Sequence, residues 1–328
     1  MIFMTNFNYI DIEDAHDRIR SSVLKTPLVV SEHINYLTNA NVFFKLENLQ
    51  WTGSFKIRGA SNKLTQLNYE EKKRGIVAYS SGNHAQAVAY VSKINNIAAT
   101  IIMPKNAPSI KINNTKNYGA EVILYDPLTD NRENIAQEIS KEKGKMIIRP
   151  YDDEDIIAGQ GTAGKEIVED LLNLHISPDI YLCCCGGGGL IAGTSTYLKY
   201  QFPNIRCYSV EPEEFNDTQV SLSKKIITPV KEGSQSFCDA LLASQPGDIT
   251  FEINKQTLKE GLSVSDNEVK KTIILLAENL KIIAEPGGAV AATALLNNKI
   301  DTTNKTIVVM ISGGNIDNKL FSNIVKGI

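Results

Sequence analysis

Ile76-Val77-Ala78-Tyr79-Ser80, Ala99-Thr100-Ile101-Ile102-Met103, Glu121-Val122-Ile123-Leu124-Tyr125 and Met146-Ile147-Ile148-Arg149 are four apolar, often β-branched runs that start 23, 22 and 25 residues apart. That is the spacing of repeated βαβ units, since a strand needs a long crossover before the next parallel one. The segments between them read as helical in part, most clearly 84–94 and 131–143, so this stretch predicts a small parallel sheet with helical crossovers. A second series lies outside it, with strands expected at 179–185, 206–210 and 306–312 and helices at 162–174 and 193–202. Val269, Ile273, Leu276 and Leu280 keep helical spacing, and Ser265 with Glu268 makes a capping box at the start of that helix. The expected fold class is therefore α/β, with two open, twisted, mostly parallel sheets flanked by helices. The expected large domain comprises residues 1–74 and 148–328, with a small domain, 75–147, inserted in it. No Pro/Gly/Ser linker separates them, so a tight interface and a binding cleft between the sheets are expected.

The bulk numbers narrow the function. At 328 residues, 42% hydrophobic and 22% charged, the chain can bury a substantial core. A formal net charge of -3, with Lys and Arg scattered along the chain, offers no broad basic field and argues against a nucleic-acid partner. Residues 1–18 lack the features of a secretory signal, and no run approaches ~18 uninterrupted apolar residues, so a cytoplasmic chain without a membrane partner is expected. Of five cysteines, three are adjacent, Cys183, Cys184 and Cys185. They suit buried strand positions, not a disulfide framework or a zinc pair, and strand neighbours point to opposite faces.

Four groups of residues carry chemistry. Ser54-Phe55-Lys56-Ile57-Arg58-Gly59-Ala60 sets one lysine between an aromatic and an arginine. Desolvation and a nearby cation lower an amine's pKa, as Schiff-base formation with an aldehyde cofactor requires. Alone, the segment also reads as a surface lysine at a helix start. Gly186, Gly187, Gly188 and Gly189 follow a strand and precede an apolar helix, which makes a phosphate cradle of backbone N–H groups. Ser80-Ser81-Gly82-Asn83-His84 opens a helix with a concentration of donors suited to a carboxylate, or to ordinary capping. Ser312-Gly313-Gly314-Asn315 and Glu285-Pro286-Gly287-Gly288 fall where open α/β sheets bind ligands. A rival reading of the glycine run is a dinucleotide site, because Gly187, Gly189 and Ala192 satisfy G-x-G-x-x-A and Glu211 ends the next strand.

Together SFKIRGA, SSGNHAQ, CGGGGL, EPGGA and SGGN resemble the serine/threonine dehydratase and serine racemase family of fold type II pyridoxal-phosphate enzymes, from about Ile12 onward. The resemblance implies pyridoxal 5'-phosphate as cofactor and a small hydroxy-amino acid as substrate, dehydrated and deaminated to a 2-oxo acid and ammonia. Lys56 would carry the cofactor as a Schiff base and then remove the α-proton, with Phe55 against the ring. Asn83 would bond the ring hydroxyl, Gly186 to Gly189 would hold the phosphate, and Ser312 would face the pyridine nitrogen. Ser80, Ser81, Gly82 and His84 would grip the substrate carboxylate. Ser81 would act as a second base in the racemase branch, and Arg132 and Asp239 would lie on the substrate side. Arg132 and Ser81 point to serine racemase or 3-hydroxyaspartate dehydratase. Tyr151-Asp152-Asp153 and the segment 236–242 point to bacterial serine and threonine dehydratases.

The resemblance also aligns Glu211, the Phe215 carbonyl and Asp217 with a divalent-cation site for Mg2+ or Ca2+, against which stands a solvated acidic turn. It further implies a homodimer or higher homo-oligomer and room for a nucleotide effector. No C-terminal regulatory domain is expected after Ile328. Two readings from other classes remain at this point, an NAD-dependent oxidoreductase using the glycine loop and a non-catalytic binding protein.

Overall fold

Branched and aromatic side chains form strands at β1 (Leu28–Val30), β2 (Asn41–Leu46), β3 (Ile76–Tyr79), β4 (Ala99–Pro104), β5 (Glu121–Tyr125), β6 (Met146–Ile148), β7 (Ile180–Cys184), β8 (Arg206–Pro212), β9 (Leu258–Val264) and β10 (Thr306–Ile311). Such residues suit a pleated surface packed on its faces. The computed structural model describes residues 6–327; residues 1–5, which open the segment inspected above for a secretory signal, and residue 328 lie outside the described residues. No helix among the described residues is long and apolar enough to cross a membrane.

The strands build two sheets. The smaller has the order β5-β4-β3-β6 and is parallel throughout. The larger has the order β1-β2-β10-β7-β8-β9 and is parallel except for the edge strand β1, which runs against β2. β3, β4 and β7 are buried at every position, as expected of parallel strands covered by helices on both faces. In each sheet the order reverses once. β4 and β5 extend to one side of β3 while β6 returns to the other, and β8 and β9 extend from β7 while β10 and β2 lie opposite. Carboxyl ends of strands at such reversals leave a crevice. In this chain those ends carry Ser80 to Gly82, Pro150, Gly186 to Gly189 and Ser312.

The expected strands appear with ends shifted by a residue or two, and the Ser265–Glu268 capping box is present at the helix Asp266–Leu280. Two helices begin earlier than expected. The helix Glu154–Asn173 includes Gly159, Gly161 and Gly164, which weaken its local propensity but allow close packing. A Cβ on Gly159 would lie 2.6 Å from the Arg58 carbonyl and from the Gly59 Cα, so this helix and the helix Lys56–Thr65 cross in near backbone contact. That crossing helps join the two sheets into one body. The helix Gly189–Gln201 starts inside the glycine run. β9, with Lys259, Glu260 and Gly261 in its middle, has no clean alternation and was not expected from the sequence. It is an edge strand, tolerates exposed charge, and brings Gly261 against the backbone of Gln219.

Candidate active site

Lys56 opens the helix Lys56–Thr65, and its Nζ donates to the Pro150 carbonyl at 2.6 Å. The ammonium lies 5.2 Å from the Phe55 ring centroid. The residue as a whole is half-buried, and desolvation of the amine lowers its pKa to about 8, with Cys184 acting in the opposite direction. Half of the expected cause is corrected here. Arg58 lies two residues on, about 200° around the helix, and so points to the opposite side. There it is fully buried between Glu47 and Glu166 and contributes no charge to the Lys56 environment.

Across the cleft, Gly188 takes φ +94 and caps the helix Gly189–Gln201 without any side-chain hydrogen bond. The first N–H groups of that helix therefore have no side-chain cap and can hold an anion. The Gly187 carbonyl is fixed by the Thr250 hydroxyl at 2.7 Å. The Tyr151 ring packs on the loop so closely that a Cβ on Gly187 would lie 2.3 Å from it. Ser312, immediately after β10, lines the same cavity as Lys56 and the glycines.

Ser80, Ser81 and Gly82 form a third wall of that cavity, and the Ser80 hydroxyl accepts from the Gly82 N–H at 3.1 Å. The helix Asn83–Ile94 behind them also lacks a side-chain cap. The Asn83 amide donates to Glu285 and accepts from Asn315 at 2.9 Å, which leaves it a second N–H.

A pyridoxal-phosphate dependent enzyme family model matches residues 19–313 of the chain. The chain belongs to that family. It is 40% identical to the L-threonine ammonia-lyase of Thermotoga maritima, over 96% of this chain and 77% of that one. It is 37% identical to the L-threo-3-hydroxyaspartate ammonia-lyase of Saccharomyces cerevisiae, over 97% and 96%. Among solved structures, maize serine racemase superposes with a TM-score of 0.92 at 32% identity, over 98% of each chain. These neighbours share the fold type II architecture expected from the motifs.

The residues present fit the cofactor that defines this family. The cleft holds a desolvated amine with no carboxylate partner, a glycine loop in which a Cβ at Gly187 or Gly188 would strike Tyr151 or Thr250, and a helix N-terminus lacking a side-chain cap. The dinucleotide reading falls with the same geometry. The Glu211 carboxylate that would reach a ribose is buried and accepts the N–H groups of Thr218 and Gln219 at 2.9 and 2.8 Å.

His84 and Asp239, both expected on the substrate side, line the cavity with their side chains already engaged. His84 is buried, and its Nε2 lies 3.2 Å from the Ile148 carbonyl. A carbonyl can only accept, so Nε2 holds the proton and Nδ1, which has no partner, is a bare acceptor. Burial, reinforced by the Lys56 charge, lowers the His84 pKa to about 3. The neutral ring cannot grip a carboxylate; only its backbone N–H at the helix start could. Asp239, in turn, accepts from the Lys111 Nζ at 2.6 Å, and Lys111 also donates to Glu285 at 3.0 Å. Asp239 is therefore occupied by an ion pair tying the helix Ser109–Asn117 to the larger sheet's loops. Burial works against the Lys111 charge, yet Glu285 and Asp239 outweigh it and raise its pKa.

Arg132 does reach the cavity, with its guanidinium 5.5 Å over the Tyr79 ring. Lys111, Tyr79 and the Pro150 carbonyl were not foreseen as site residues. In Ser109-Ile110-Lys111-Ile112 nothing marks the lysine as buried, because its partners are 128 and 174 residues away. Cys183, Cys184 and Cys185 are buried and unpaired, as read from the sequence.

The acidic turn is solvated only in its middle, at Glu213 and Glu214. Glu211 and Asp217 are both buried, and neither carboxylate oxygen of Asp217 has a partner. Burial raises the Asp217 pKa to about 7, and burial together with Asp217 raises that of Glu211. Among the described residues no group of three or more His, Cys, Asp or Glu side chains could hold a metal. This pair supplies two carboxylates and would need backbone or water oxygens as well.

Proposed function

We propose that the chain is an ammonia-lyase that dehydrates and deaminates L-serine or L-threonine to a 2-oxo acid and ammonia. The observation that carries this reading is the Lys56 amine, with a pKa of about 8, in one cavity with Ser80, Ser81 and Gly82. Pyridoxal phosphate, when bound, withdraws electrons from the α-carbon of an amino acid joined to it. Lys56 then serves as the base that takes the α-proton, and a pKa near the working pH suits an amine that both takes and returns a proton. The Ser80 and Ser81 hydroxyls and the open helix start at Asn83 orient the substrate carboxylate. Phe55, Tyr79 and Tyr151 keep bulk water from the cleft.

A second reading is racemisation of serine, with Ser81 as a second base, or elimination from 3-hydroxyaspartate, whose second carboxylate the Arg132 guanidinium on the cavity wall can pair with. Keto-acid release from L-serine, D-serine, L-threonine and both hydroxyaspartates, measured beside D-serine formation from L-serine, separates the two readings. Fastest turnover of L-serine or L-threonine supports the first, and fastest turnover of a hydroxyaspartate overturns it. Ser81→Ala should lower D-serine formation about 100-fold and L-serine elimination much less, because Ser80 and the helix start still hold the carboxylate while only racemisation needs a second base. Equal losses on both reactions would assign Ser81 to carboxylate binding alone.

A magnesium or calcium ion at the two unpartnered oxygens of Asp217, with Glu211 and the Phe215 carbonyl, belongs to the same proposal. A divalent cation would relieve the burial of two carboxylates whose proton affinity that burial raises. Removing it with EDTA should lower the melting temperature by about 2–5 °C and slow turnover, and added magnesium should restore both. Unchanged melting and rate in protein verified metal-free would show that protonation alone satisfies the pair.

A further inference from the structure

The three adjacent cysteines are used differently. β7 alternates its faces, and beyond its end the alternation continues, so Cys184 looks the opposite way from Cys183 and Cys185. The Cys185 sulfur lies 3.3 Å from the Thr218 hydroxyl, beside the acidic turn. The Cys184 thiol donates to the Ser312 hydroxyl oxygen at 3.1 Å, and both residues line the cavity that holds Lys56. β7 and β10 are paired neighbours, so the carboxyl ends of the two strands set sulfur and hydroxyl side by side where the larger sheet reverses.

We propose that Cys184 is a positioning residue for Ser312, its thiol proton fixing the serine hydroxyl so that the hydroxyl's own proton is presented to the cavity. This rests on the pyridoxal-phosphate reading, in which Ser312 faces the pyridine nitrogen. The reasoning is one of hydrogen-bond supply. A serine hydroxyl has one proton and two lone pairs, and a thiol has one proton. With one lone pair taken by Cys184, the hydroxyl keeps its proton, and the Ser312 side chain makes no other hydrogen bond among the described residues. The backbone of Ser312 is held separately, its carbonyl accepting from the Phe55 N–H at 3.1 Å. The rotor that is left free is the hydroxyl, and Cys184 removes that freedom. A hydroxyl that accepts one hydrogen bond is also polarised into a stronger donor for the next.

Hydrogen bonding from Cys183 lowers the Cys184 pKa, with burial opposing it, Ser312 and Lys56 assisting, and Glu285 raising it. The thiol is the donor while it keeps its proton, so the test is made at mildly acidic to neutral pH. The holoenzyme is compared with Cys184→Ser, which can still donate, and Cys184→Ala, which cannot. In Cys184→Ala the visible band of the lysine-bound cofactor should shift and kcat should fall about fivefold with KM within about twofold. Cys184→Ser should keep the wild-type band and a kcat within about twofold. A cofactor-independent readout is the infrared S–H stretch, assigned by subtracting the Cys184→Ala spectrum. Ser312→Ala should move it to the frequency of a free thiol.

Wild-type spectra and rates in Cys184→Ala overturn the proposal, as does an equal change in the serine and alanine variants, which would mean packing alone. An S–H stretch insensitive to Ser312→Ala overturns the hydrogen bond itself. A wild-type protein that takes up no pyridoxal phosphate would instead sink the underlying reading, and Cys184 with it.

Discussion

Lys56→Ala is expected to take up pyridoxal phosphate without a lysine-bound visible band and to lose at least about 1000-fold in keto-acid formation, since it removes both the attachment point and the base. The loss should come without unfolding. The folded-state pKa of Lys56 is about 8 against an ordinary 10.5. With a depressed folded pKa, the folded state binds fewer protons than the unfolded chain between those two values, so stability rises with pH through that window. Below about pH 8 the cofactor-free protein carries the full penalty of burying this charge. Lys56→Ala should therefore melt no lower than wild type at neutral pH. In the wild type, the rate of cofactor uptake should climb as pH passes about 8 and then level off, because only the neutral amine attacks an aldehyde. A climb continuing beyond pH 10 would place the amine in water, contrary to the geometry of the cleft. Full activity in Lys56→Ala would end the pyridoxal reading.

Arg58→Met should do the reverse. The Arg58 side chain is 0% exposed and donates from Nε and Nη2 to the two oxygens of Glu47, at 2.8 and 2.7 Å. It also donates to both oxygens of Glu166, at 2.7 and 2.8 Å. Lys45 donates to Glu166 at 2.6 Å and to the Thr26 carbonyl at 2.7 Å, so two cations and two carboxylates close a neutral buried network. Burial opposes the charge on Arg58, but Glu47 and Glu166 raise its pKa still further. Removing the guanidinium leaves two buried carboxylates facing one lysine, a loss of about 3–5 kcal/mol in unfolding free energy. Arg58→Lys should recover only part of this, because an ammonium cannot match the planar fork. Chemical denaturation would measure both. A loss under about 1 kcal/mol for Arg58→Met would mean that water enters the network and satisfies the carboxylates. Thus two residues two positions apart in SFKIRGA are expected to separate activity from stability.

That separation marks the boundary between what the order of residues determined and what required the folded chain. The spacing of the runs at Ile76, Ala99, Glu121 and Met146 determined a parallel sheet, since strand alternation and crossover length are properties of a short stretch of chain. The glycine run after β7, the donor-rich turn after β3 and the lysine at a helix start were legible for the same reason. Each lies at a helix start, the first two directly after a strand end, and one cavity gathers them because both sheets reverse there. Burial and partnership at a distance were not legible. Lys111, in a helix of polar residues, is buried because Asp239 and Glu285 converge on it from far along the chain. That burial and the Ile148 carbonyl keep the His84 ring neutral was equally hidden. In the acidic turn, read as either a cation site or a solvated loop, Glu211 and Asp217 are buried while Glu213 and Glu214 are exposed. Whether a charged or polar side chain meets water, a counter-charge or nothing is a tertiary matter, settled only when separate elements pack together. Desolvation and pairing then set each group's proton affinity, and so decide which of these side chains can do chemistry and which only hold the cleft in shape.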